Sequence, residues 1–162
     1  MTGIRTAALV GVVTAASSLV LLSVAAAEPA TTRQRISMTG IFDTETGRGT
    51  WKLIPLTAGP LKQDSGTLTG SGTIGPKLLR NGQRITVIVG GDTLTSKRGG
   101  FGVSQRIEST DVGNRYSADI GTWEIRGGVG AYEGVTGKGR AAAVGLPNGK
   151  LLVNQEGWVT TP

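Results

Sequence analysis

The chain is 162 residues long, with 17 Lys and Arg against 11 Asp and Glu, a formal net charge of +6, and neither cysteine nor histidine. These absences exclude a disulfide framework, thiolate metal sites, a Cys nucleophile and any Ser-His-Asp or Cys-His arrangement; no metal or cofactor is expected. Its 27 glycines follow no G-X-Y period, which excludes collagen.

Residues 1–27 read as a secretory signal peptide. A short segment with one positive charge, Arg5, precedes an apolar run from Ala7 to Val24, broken only by small polar residues such as Thr14, Ser17 and Ser18. Small residues at Ala25 and Ala27 place the cleavage between Ala27 and Glu28, so localisation is expected to be secreted or at the cell-envelope exterior. The alternative is an uncleaved anchor, since the run approaches the roughly 18 residues that span a bilayer. Residues 28–162 then form one domain, large enough for a single hydrophobic core.

From there the pattern is strand after strand, with no helical periodicity sustained over ten residues. Strands are predicted over Arg35–Phe42, Gly49–Leu56, Gly66–Ile74, Arg84–Val89, Phe101–Ile107, Tyr116–Arg126, Val135–Val144 and Leu151–Val159. In the fifth, Phe101, Val103 and Ile107 share one face, opposite Ser104, Arg106 and Glu108. Asn81-Gly82 and Asn148-Gly149 are strong hairpin signals, because a type I′ turn needs positive φ at both central residues. Gly90-Gly91, Gly99-Gly100 and Gly113-Asn114 are read as further turns. About eight short strands with regular turns imply an all-β antiparallel sandwich or barrel, and a closed barrel has no edges to protect. The seven aromatics, Phe42, Trp51, Phe101, Tyr116, Trp123, Tyr132 and Trp158, are spread along the chain and are expected to fill its core.

Catalytic and nucleotide motifs fail on inspection. Gly128–Gly134 imitates a dinucleotide fingerprint, but the third glycine is one residue late and no helix follows. Asp43 and Glu45 lie two apart, yet their glycine-threonine context favours an Asx-type turn over acid–base work. The pairs Glu124/Arg126 and Arg106/Glu108 read as outward salt-bridge ladders, with a polar barrel mouth as the alternative. No basic run exceeds Lys97-Arg98, so no specific nucleic-acid partner is expected; the net positive charge suits weak contact with anionic envelope polymers.

One segment, Gly121–Gly137, resembles the strand–hairpin–strand signature of allene oxide cyclases and dirigent proteins. In those families a strand ends in Gly-Gly-x-Gly, followed by x-aromatic and a short link to the next glycine. Gly127, Gly128, Gly130, Tyr132, Glu133, Gly134 and Gly137 stand at matching places. The resemblance implies a single eight-stranded antiparallel calycin-like β-barrel, a homo-oligomer in many plant members, whose cavity takes a small hydrophobic molecule. The matching residues are structural hairpin glycines and an aromatic, so they carry fold rather than activity.

Two functions are then weighed. One is a non-catalytic binder of a small hydrophobic ligand or cell-envelope component, with Trp51, Tyr116, Trp123 and Tyr132 as candidate cavity residues. The other is a cyclase- or dirigent-like isomerase that shapes a reactive substrate by confinement, with Glu124 or Asp43 as the inward acid. Tyr116 and Trp123 are an odd number of residues apart, so a regular strand cannot point both inward. A roomy cavity with a charged or phenolic floor would favour the enzyme; a solid interior would remove both.

Overall fold

The computed structural model describes residues 31–162. The predicted signal segment 1–27 and its expected cleavage point between Ala27 and Glu28 lie outside the described residues. Eight strands follow in order: β1 (Thr32–Asp43), β2 (Arg48–Pro55), β3 (Asp64–Arg80), β4 (Gln83–Ser96), β5 (Gly99–Gly113), β6 (Tyr116–Gly130), β7 (Thr136–Gly145) and β8 (Lys150–Thr161). Each pairs antiparallel with its neighbours in the chain, and β8 pairs with β1 from Thr32–Thr161 to Asp43–Lys150, which closes the sheet into one ring.

Eight β runs were read in the sequence and eight formed; six are longer than the local pattern suggests, and β3, β4 and β5 exceed it most. Gly75-Pro76 looks like the end of β3, yet the strand continues through a register shift between Ile74 and Lys77. A proline lacks the N–H that a ladder needs, and a bulge is where its absence does least harm. Gly90 and Gly91 do not turn the chain. They sit mid-strand in β4, opposite Gly72 and Ser71 of β3. β5 likewise runs past Ile107 to Gly113.

Four hairpins gather at one end of the ring. Asn81-Gly82 adopts the expected pair of positive φ angles, 50° and 78°. The β5–β6 turn is made by Asn114 and Arg115, both left-handed, at φ 53° and 66°. The β7–β8 connection departs from the two-residue expectation: among Asn148 and Gly149 only Gly149 has positive φ, and a four-residue loop is closed by the Leu146 N–H donating to the Lys150 carbonyl. At the β1–β2 turn the Asp43 carboxylate accepts from the Glu45 and Thr46 N–H groups, the Asx-type turn its context predicts.

The opposite end is packed solid. Inward residues Ile36, Leu53, Val103, Ile125, Val135 and Val159 are almost completely buried. Phe101 meets Trp51 edge-on at 5.6 Å and Tyr132 at 4.7 Å. Gln34, also buried, straps the β2–β3 loop over this end: its Nε2 donates to the Thr57 and Leu61 carbonyls, and its Oε1 accepts from the Leu61 N–H. Five of the seven aromatics face this core or its margin. Tyr116 and Trp158 are exposed instead, Trp158 lying under the Arg33 guanidinium at 4.5 Å.

Candidate functional site

An eight-stranded ring is just wide enough for its inward side chains to fill. Where those side chains are small, space is left over. Toward the hairpin end, the wall includes Gly40 of β1, Gly72 of β3, Gly90 of β4, and Ala141 and Ala143 of β7. The result is a cavity of about 140 Å³, bounded by Met38, Trp51, Leu68 and Leu94 toward the solid core and by Phe42, Ile107 and Leu151 toward the hairpins.

Besides the exposed Thr39 and Ser71, four polar side chains line this largely apolar space: Asp92, Gln105, Asp119 and Gln155. Three form a chain across the barrel. Gln155 of β8 donates through Nε2 to Gln105 Oε1 of β5 at 3.0 Å, and Gln105 Nε2 donates in turn to the Asp92 carboxylate of β4. β5 and β8 are not neighbours in the sheet. The Gln155–Gln105 bond therefore crosses the interior rather than running along the wall. Gly70 makes room for the end of this chain, since a Cβ there would stand 2.0 Å from Asp92 Oδ1.

The two carboxylates differ. Burial pushes Asp92 up to about 6, against the opposing pull of the Gln105 hydrogen bond. Asp119, on β6, is 5% exposed, and its Oδ1 is buried with no hydrogen-bond partner. Among the described residues no Lys or Arg lines the cavity, so neither acid faces a cation from them within it.

The residues singled out in the sequence separate into three places. Trp51 lines the cavity, and its Nε1 donates to the Thr67 carbonyl at 3.0 Å and the Thr95 carbonyl at 3.3 Å. Trp123 and Tyr132 are buried outside the cavity lining. Trp123 donates to the Arg140 carbonyl and lies against the backbones of Gly139 and Gly157. Tyr132 plugs the solid end, where its hydroxyl donates to Asp64 Oδ2 at 2.6 Å. Burial, then the Asp64 hydrogen bond, push that phenol well above its ordinary value. Tyr116 is exposed beside the β5–β6 turn. Glu124 is on the outer face, paired with Arg126 at 3.4 Å. Neither acid considered for the interior points there, because Glu124 is out of phase with inward Trp123 and Asp43 is spent on its own turn.

The β6–β7 hairpin glycines differ in what they do. Gly127, Gly130 and Gly134 all have positive φ, and the Gly128 α-carbon packs against Tyr132, where a Cβ would meet the Tyr132 carbonyl oxygen at 2.2 Å.

The interior polar residues were legible in principle. Gln105 shares the phase of Phe101, Val103 and Ile107; Asp119 shares that of Trp123; Gln155 shares that of Val159. Asp92 was hidden because Gly90-Gly91 looked like a strand end. No family model, no curated protein and no solved structure matches the chain.

Proposed function

We propose that this protein is an exported, calycin-like β-barrel related to the allene oxide cyclase and dirigent group, and that it binds a small hydrophobic ligand without transforming it. The observation that carries the reading is the cavity: an apolar chamber with a few converging polar groups, inside a ring otherwise packed to its axis. Its size favours holding over shaping. At about 140 Å³ it matches a single small ring or a short branched chain, far below the roughly 300–1,000 Å³ that encloses a drug-sized molecule.

The isomerase reading keeps one specific support. Asp92, held near 6, keeps its proton into the weakly acidic range, where an ordinary carboxyl has lost it, and stands at the cavity wall. A carboxylic acid so placed can protonate or polarise a ligand oxygen. In that reading the barrel supplies confinement, and Gln105 positions the acid.

Native mass spectrometry of the protein purified from its own host tests the binder. The expected result is an added mass of a small apolar molecule, lost in the variant Ala143→Phe, whose ring would grow into the chamber. Bare protein under mild conditions, or an adduct unaffected by Ala143→Phe, would count against it.

A further inference from the structure

We infer that the ligand is a small apolar amine, whose ammonium group is received by Asp119 and whose hydrocarbon body fills the chamber. This inference rests on the binding role proposed above and adds the chemical class. It starts from Asp119. Asp119 is 5% exposed and its Oδ1 is buried with no donor from its own protein, and a buried polar atom left unpaired keeps its full desolvation penalty. The neighbouring polar groups do not relieve it. Gln105 Nε2 donates to Asp92 and Gln155 Nε2 donates to Gln105, and neither reaches Asp119 Oδ1.

The charge balance of the lining points the same way. Two acids and no base face the space, so an anion is disfavoured and a cation is favoured. A divalent metal ion fits less well. Among the described residues no three metal-ligating side chains come together, and hard cations need six or more oxygen ligands. A primary ammonium needs fewer partners and brings an apolar remainder, which the alanines, Met38, Phe42, Leu68 and Ile107 can cover. The available volume sets the size: a cavity of roughly 150 Å³ holds one benzene ring.

The probes are benzylamine, benzyl alcohol and toluene, titrated calorimetrically into the purified protein at pH 7.5. Benzylamine is expected to bind about tenfold or more tightly than either neutral isostere, the advantage of a charged hydrogen bond in a sheltered site. Asp119→Asn keeps the shape, removes the charge and should abolish that preference. If toluene binds and benzylamine gains nothing over it, the amine assignment is wrong and the apolar chamber stands. If benzylamine is preferred but Asp119→Asn preserves the preference, Asp119 is not its receptor. If none of the three binds, both this assignment and the small-molecule role fall. The wild-type comparison decides the class even if Asp119→Asn folds poorly, and a melting curve of that variant identifies that case.

Discussion

Asp92 shows how one buried carboxylate marks the whole molecule's response to pH. Its folded value near 6 exceeds the ordinary 3.8, so the folded chain holds that proton more tightly than the unfolded chain does. The resulting stabilisation is fully present below the ordinary carboxylate range and is lost as pH rises through about 6. Asp64 behaves in the opposite sense. Burial raises it, but hydrogen bonds from Tyr132, Ser96 and the Ser65 N–H together hold it below its ordinary value, so its contribution is present above that range and lost on acidification. Comparing wild type with Asp92→Asn isolates the first effect, because Asp64 is common to both. In urea titrations between pH 4 and 7, the stability of the wild type relative to the variant should fall by up to about 3 kcal/mol. A difference that stays constant with pH would contradict the burial of Asp92.

At the scale of elements, what could be read from sequence and what could not divides on glycine. Strand existence was legible because β-branched and aromatic residues alternate or cluster: Ile85–Val89 in β4, Phe101–Ile107 in β5. Strand length was not. Gly75-Pro76 and Gly90-Gly91 carry the local chemistry of turns, and only the pairing of β3 with β4 over most of their length overrides it. The same ambiguity concealed the cavity, since a glycine that leaves space inside a barrel looks like a glycine that bends a chain. The β6–β7 hairpin was the clearer case, with Gly127, Gly130 and Gly134 at positive φ and Tyr132 buried beside them. Tyr132→Phe removes one hydrogen bond to Asp64 from the plug. It should lower stability by about 1–2 kcal/mol in chemical denaturation at pH 7 without altering cavity binding. An unchanged midpoint would mean that the phenol hydroxyl only fills space.

Over the whole molecule, the ring is divided into a filled half and a vacant half. Interdigitated aromatics and aliphatics seal the end near the β2–β3 and β6–β7 loops. Glycine and alanine keep the hairpin half open, with the Asp92–Gln105–Gln155 bar between facing walls. The outer surface adds little to this division. Its ion pairs, Arg35–Glu156, Arg80–Glu108, Arg106–Glu108 and Arg126–Glu124, are solvent-exposed on at least one side, and such pairs contribute a few tenths of a kcal/mol each. The proposed function therefore belongs to the interior. Methyl-resolved NMR during a toluene titration tests that division most directly. The account predicts saturable shifts at the methyls of Met38, Ala141 and Ala143, with those of Ile36 and Val159 unmoved. Shifts confined to outer residues such as Val144 and Leu152, or spread evenly through both halves, would contradict it.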